Sequence, residues 1–354
     1  MGLFDMPATS YSDLVKKYNN FMVPAMVMTV DGTDTKKLAG VYISQVRVNL
    51  SLEQVCSASF TLENVYDYQN SSLQSEVKKY FQLGSLVTIA LGYGSDTTEV
   101  FWGYIHELQY SFEEDVSVSV TALDMRRLMM MNQENRTFEE KTYSEIFEEV
   151  IGKYSNAFYS KKIEGSTQQI PEVTQQGVSD YDFVTNELCS RDDKEFFVLS
   201  GNVYYQTKSR DTSPLLTLTW GENLFSFQLT RSYRDEEISV YGIDEKELVT
   251  GEEKVTTEGD INKLSASPFK REIISPNTKD AKGAQAMAKK EAEKEKKKSK
   301  YGSGSCIGIP ELVPGRYIEI KKLDINGSSL KSILTEVRHS FGRDGYTTEF
   351  ELGG

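Results

Sequence analysis

Four stretches between Val41 and Asp124 alternate apolar and polar side chains with a period of two. Val46, Val48, Leu50 and Leu52 alternate with Arg47, Asn49 and Ser51; Ala58, Phe60 and Leu62 with Ser57, Ser59 and Thr61. Val87, Ile89 and Leu91 repeat the pattern, as do Val116, Val118, Val120 and Ala122. A strand places successive side chains on opposite faces, so this pattern belongs to strands with one dry and one wet face. Several in succession, parted by turns such as Gly92-Tyr93-Gly94, predict an antiparallel barrel or sandwich over residues 38–124. Gly103, inside the longer strand Val100 to Tyr110, marks an expected bulge or tight bend.

The period then changes. Tyr143, Ile146, Phe147, Val150, Ile151 and Tyr154 form one helical stripe, with Thr142 and Glu145 placed as a capping box. A second helix is expected after Ser179, with Asp180 and Asp182 in its first turn, and a hairpin pivots on Ser200-Gly201-Asn202. Residues 125–214 therefore read as an α+β insert. Alternation returns at Leu216, Leu218 and Trp220, and again near the C-terminus, where Asp344-Gly345 is a hairpin turn. A second β-barrel is thus expected from two pieces, 215–243 and 310–354. Between them, 244–309 reads as a charged linker plus a lysine-rich helix, with Gly302-Ser-Gly-Ser305 as a flexible break; residues 1–37 read as a polar arm. The expected fold class is mainly β: two similar antiparallel barrels around an α+β insert.

Composition narrows the function. The net charge is −13, and residues 281–300 hold eight lysines and three glutamates, so the rest of the chain carries −18. Such a body is repelled by a phosphate backbone, which argues against nucleic-acid binding. The lysine run reads as a solvated helix with a weak apolar side. No apolar run approaches the roughly 20 residues of a membrane span, and the N-terminus lacks the basic start and apolar core of a secretory signal. Synthesis in the bacterial cytoplasm is the expectation. Cys56, Cys189 and Cys306 stand far apart and read as buried small hydrophobes, without a disulfide framework or metal spacing.

Catalytic chemistry is hard to find. His106 and His339 are the two histidines, each within a strand pattern and outside any HExxH or triad context. The acid pairs Glu139-Glu140, Glu148-Glu149 and Asp192-Asp193 read as solvated faces rather than a glycosidase pair. Gly92-Tyr93-Gly94 precedes no helix and so is no phosphate loop. Asn70, Asn135 and Asn326 open glycosylation triplets that are chance matches in a chain read as cytoplasmic. Catalytic, cofactor and metal residues are therefore expected to be absent, and cofactors likewise. Twenty Tyr, seventeen Phe and two Trp supply aromatic surface of the kind that interfaces use.

Four longer stretches carry a resemblance: Phe81 to Phe112, Val118 to Tyr154, Gln175 to Gln206, and Ile309 to Leu352. They contain a glycine before a barrel strand with a Phe-x-Gly-Tyr-Ile pattern, a strand running into Leu-Asp, and a Ser-Asp-x-Asp-Phe helix start. In the last stretch a Pro-Gly opens the final strands and Val-x-His-Ser-Phe precedes the terminal hairpin. In this order the chain resembles the phage late control gene D family, the baseplate hubs related to the N-terminal part of VgrG. The resemblance implies a homotrimer whose two barrels per subunit form a pseudo-sixfold ring, adapting a sixfold tail tube to a threefold spike. It implies a tube or tube-initiator protein, a trimeric spike and a tape measure or cargo as partners, without direct membrane insertion. The spike is expected as a separate polypeptide, since Tyr346 to Leu352 reads as the last barrel strand. The chain is expected in an assembled phage tail, tailocin or injection particle. The rival expectation is a cell-wall-degrading or carbohydrate-binding tail-associated protein.

Overall fold

The computed structural model describes residues 2–38, 40–208, 211–244, 247–257, 264–275, 278, 280–325 and 329–353. The protein is mainly β, and its largest element is a curled thirteen-stranded sheet. Twelve of those strands organise everything else. The first six are β1 (Pro24–Val30), β2 (Tyr42–Ser51), β3 (Ser57–Glu63), β4 (Leu86–Tyr93), β5 (Asp96–Phe112) and β6 (Val116–Leu123). The second six are β7 (Pro214–Thr219), β8 (Leu224–Arg231), β9 (Lys300–Ile307), β10 (Tyr317–Lys321), β11 (Ser329–Gly342) and β12 (Gly345–Gly353). A two-residue strand, Thr33–Asp34, folds back on β1.

The two sets are colinear copies of one plan. Neighbouring strands run β1-β4-β5-β6-β3-β2 in the first and β7-β10-β11-β12-β9-β8 in the second. Around the long strands β5 and β11 the registers match residue for residue. Ile105 exchanges backbone bonds with Gly84 and Ser85, and Leu334 does the same with Gly315 and Arg316. One step later each long strand bulges, between Ile105 and Glu107 in β5 and between Leu334 and Glu336 in β11. The following hairpins pair Phe112 with Val116 and Phe341 with Tyr346. The sequence keeps a trace of this, because Ile105-x-Glu107-Leu-x-x-Ser111-Phe112 aligns with Leu334-x-Glu336-Val-x-x-Ser340-Phe341. One difference is that β1 runs antiparallel to β4 whereas β7 runs parallel to β10.

The repeats are joined edge to edge. Strand β11 pairs with β10 through its first half, and its second half, Glu336 to Phe341, pairs antiparallel with Ser51 to Val46 of β2. The expected β units are therefore one continuous sheet with one continuous core, running from Val46, Val48 and Phe60 to Leu334, Val337 and Phe350. Alternation does what the sequence requires: Ala58, Phe60 and Leu62 point inward on β3, and Tyr346, Thr348, Phe350 and Leu352 on β12. Gly103 lies where β5 passes from β4 to β6, and a Cβ there would sit 2.5 Å from the Leu123 carbonyl oxygen. Strand crossing is the reason for glycine.

Three expectations need correction. The stretch 1–37 is more than a polar arm: β1 pairs along the whole of β4, and Leu3, Leu14, Tyr18 and Phe21 enter the main core. The Gly302-Ser-Gly-Ser305 stretch is not a break but the body of β9. Its glycines make room, because a Cβ on Gly304 would lie 2.7 Å from the Phe350 ring. The span 244–309 is not a linker. Strands Glu247–Thr256 and Phe269–Ile274 flank Asp235–Asp244 in a three-stranded sheet. On it the helix Ala281–Ser299 lays Ala284, Ala288 and Ala292, spaced by four, against Val240, Ile238 and Val255. Alanine at that spacing lets a lysine-rich helix approach closely while its charges stay in water. This layer occupies the place in the second repeat that the short 52–56 turn occupies in the first. Of the expected connection, residues 245–246, 258–263, 276–277 and 279 lie outside the described residues.

The α+β insert has its own core around Phe147, Phe183, Phe196 and Tyr205. Helix Tyr143–Gly152 carries the expected capping box of Thr142 and Glu145. Ser179 caps the next helix, which passes through a π-turn at Phe183–Leu188. The hairpin closes on Ser200 and Gly201, with φ of 44° and 69°.

Candidate assembly interface

The chemistry-bearing residues are dispersed and absorbed in packing. His339 is buried beneath the β2–β11 joint, its Nδ1 3.0 Å from the Tyr346 hydroxyl and 3.1 Å from Thr348 Oγ1. Burial pushes its pKa down to about 3, with the Leu312 backbone opposing, so the ring is neutral at physiological pH. His106 stands on β5 with its ring centroid 6.0 Å from that of Tyr104. The three cysteines are buried and free; burial raises the thiols of Cys56 and Cys189 to about 12 and that of Cys306 above its usual value. Such thiols are protonated and poor nucleophiles. Among the described residues no cluster of His, Cys, Asp or Glu could hold a metal.

The acid pairs divide. Glu148 and Glu149 make exposed ion pairs with Lys161 and Lys141, as a solvated face would. Asp192 departs from that expectation. It accepts from Ser166 Oγ at 2.6 Å and Tyr205 Oη at 2.8 Å, with Lys194 Nζ at 3.2 Å, and so fastens the insert's sheet to its helix. The sequon at Asn326 lies outside the described residues. The turn read as Gly92-Tyr93-Gly94 is placed at Gly94-Ser95, with Tyr93 still in β4 and bonded to the Gly308 carbonyl at 3.0 Å. A surface cleft of about 360 Å³ beside Phe4, Asp5 and Arg316 is wide open. Its arginine donates from Nη1 to the Phe4 and Met6 carbonyls, each at 2.8 Å.

A buried charge node fixes the insert to the first repeat, and the sequence reading missed it. Arg126 is fully buried and pairs with Asp124 at 2.6 Å. Its remaining donors reach the carbonyls of Leu52 (2.9 Å), Ser51 (3.1 Å) and Val198 (3.2 Å), and Cys56 Sγ at 3.1 Å. Asp124 also accepts from the Cys56 amide at 2.7 Å. The β2–β3 turn and the insert hairpin are thereby held by one guanidinium. An Asp-x-Arg directly after a strand was the available signal. A second node joins Arg136 to Asp180 at 2.5 Å, with Tyr154 Oη donating to Asp180 at 2.7 Å.

Two strand edges leave backbone groups without a partner strand among the described residues. Residues 107–112 of β5 pair with β6 on one side and have no described strand on the other, since β4 begins at Leu86 opposite Tyr104. Strand β8 pairs with β9 and forms the far edge of the large sheet. Both edges carry aromatic side chains in water: Tyr110 is 46% exposed, Phe112 65% and Phe225 57%. Open apolar strand edges are docking sites.

The model of the Alg8 N-terminal domain family matches residues 21–341. The chain belongs to that family. No curated protein sequence matches it. Among solved structures, the 43 kDa tail protein of prophage MuSo2 from Shewanella oneidensis is similar at a TM-score of 0.71. The identity is 13%, over 92% of this chain and 97% of that one. A tail protein from Neisseria meningitidis MC58 gives 0.70 at 12% identity, over 94% and 97%. An Escherichia coli type VI secretion component, described as structurally similar to phage T4 tail proteins gp27 and gp5, gives 0.54 at 13%, over 92% and 76%. This member of the Alg8 N-terminal domain family therefore has the fold of phage tail and type VI secretion proteins. No described helix is long and apolar enough to cross a membrane.

Proposed function

We propose that the chain is a structural, non-enzymatic hub of a contractile tail or injection particle. Three copies would close into a ring of six similar β repeats, matching a sixfold tube on one face and a trimeric spike on the other. The observation that carries this reading is the colinear duplication, in which two six-strand repeats share strand order and the bulge and register of their long strands, and are already joined by an edge. The shared fold with tail proteins and the sequence resemblance to gene D and VgrG-like hubs support it. The partners on this reading are a tube or tube-initiator protein, a spike, and a tape measure or cargo within the lumen. The described histidines and thiols lie in packing, and Glu148, Glu149 and Asp192 among the paired acids are held in ion pairs or hydrogen bonds, which fits a scaffold rather than a hydrolase.

Size-exclusion chromatography with light scattering tests the assembly, with an expected mass three times the 40.0 kDa of one chain. A monomer at micromolar concentration that stays monomeric with tube or spike proteins present would overturn the reading. Release of peptidoglycan or glycan fragments by the purified chain would replace it with the rival, a tail-associated hydrolase.

A further inference from the structure

Within the chain, β2 of the first repeat adds to the second half of β11 in the second repeat: Val46 opposite Phe341, Arg47 opposite Ser340, Val48 opposite His339 and Asn49 opposite Arg338. Strand correspondence turns this joint into a template. Counting along the matched registers, β8 is the counterpart of β2, with Gln228 standing where Arg47 stands, because Arg47 pairs Ser59 and Gln228 pairs Ser303 at equivalent sites. Each of these two strands holds one extra residue relative to its neighbour at a bulge, so the count is preserved. The counterpart of β11 is β5, with Ser111 standing where Ser340 stands. The joint is thus made once inside the chain, and both halves of a second joint are left open, one on the edge strand β8 and the other on the half of β5 that extends past β4.

We propose that the second joint forms between copies of this chain: β8 of one copy adds antiparallel to residues 107–112 of β5 in the next. The register is Phe227 opposite Phe112, Gln228 opposite Ser111, Leu229 opposite Tyr110 and Thr230 opposite Gln109. This deepens the ring reading above and names the surface through which the ring closes.

Burial supports it independently of topology. In the intrachain joint, the inward positions Val46, Val48, Val337 and His339 are at most 1% exposed. Their counterparts Phe227, Leu229 and Leu108 are apolar yet only half-buried, and Tyr110 is exposed; Phe112, the counterpart of the half-buried Phe341, is exposed as well. The apolar alternation is therefore present on both open edges while its cover is missing. The edges also lack the usual protection. Strand β7 opens on Pro214 and β1 on Pro24, whereas β8 and residues 107–112 contain neither proline nor lysine. The two surfaces differ from each other, so the contact is head-to-tail and gives a closed ring or an open filament.

Paired cysteines read the register directly. Ser111 and Gln228 have counterparts, Ser340 and Arg47, on the outward face of the intrachain joint, and the three native thiols are buried. Directly opposed residues on antiparallel strands have Cβ atoms about 4.5–5.5 Å apart and diagonal ones about 7–8 Å. The full chain bearing Ser111→Cys and Gln228→Cys should therefore form intermolecular disulfides under mild oxidation, ending at three chains. Ser111→Cys with Thr230→Cys should link at least tenfold less. A second measurement uses association: Leu229→Asp should shift the chain to monomers of unchanged circular dichroism, and adding Tyr110→Lys opposite it should restore assembly. A trimer that fails to cross-link in this register would overturn the pairing and leave the ring reading standing. In-register linkage into longer, unclosed chains would sustain the pairing and sink the ring.

Discussion

Acid should weaken the protein through one imidazole, and the size of the effect follows from where His339 sits. The ring lies in the core between Val48 of β2 and Thr348 of β12, where burial holds its pKa at about 3 against an ordinary 6.5. The native state keeps it neutral while the unfolded chain takes a proton below pH 6.5. A depressed histidine pKa thus leaves its stability contribution intact above about 6.5 and removes it as pH falls toward 3. At pH 4.5 the unfolded state is favoured by two pH units, or about 2.7 kcal/mol at 1.36 kcal/mol per unit. The small protonated fraction at pH 7 brings the change between pH 7 and 4.5 to about 2.5 kcal/mol. Urea unfolding followed by the fluorescence of Trp102 and Trp220 measures the loss in the wild type and in His339→Leu. The carboxylates contribute equally to both, so the difference between the two pH penalties isolates the imidazole. His339→Gln serves the same purpose if the leucine variant folds poorly. Equal penalties in wild type and variant would refute the reasoning.

Other outcomes are equally specific. Arg126→Met should destabilise the chain by about 3–5 kcal/mol, because it leaves Asp124 buried and charged; Asp124→Asn with Arg126→Met should cost less, both read by urea unfolding. Gly304→Val should lower the thermal midpoint, since overpacking against Phe350 costs about 1–3 kcal/mol. Ala288→Glu should make residues 232–299 sensitive to limited proteolysis while the large sheet stays resistant, because Ala288 is fully buried beneath that helix. Incubation of the purified chain with peptidoglycan should release no soluble fragments.

Where one face of a strand is dry and the other wet, the sequence was readable, and β3, β6 and β12 stand where alternation placed them. The capping box at Thr142 and the hairpin at Ser200-Gly201 were readable because their signals are local. The layer over 235–299 was not: strand Glu247–Thr256 buries little beyond Val255, and its helix docks through alanines, which carry almost no hydropathy signal. Strand β9 was hidden by the glycines that make room for Phe350 and its neighbours. The Asp124–Arg126 node was missed because its partners are backbone carbonyls from segments far apart in sequence. The open edges are invisible to any local reading, since an unpaired strand and a paired one share the same period. Only the topology shows that β8 and residues 107–112 of β5 match a joint already formed by β2 and β11.

The central claim is that repeats of this chain form one closed ring, and direct imaging of the purified full-length protein tests it. Averaged electron micrographs of single particles should show a ring with threefold symmetry and six similar lobes around its lumen, two from each chain. Compact single-chain particles without a lumen, or rings whose lobes number other than six, would contradict it.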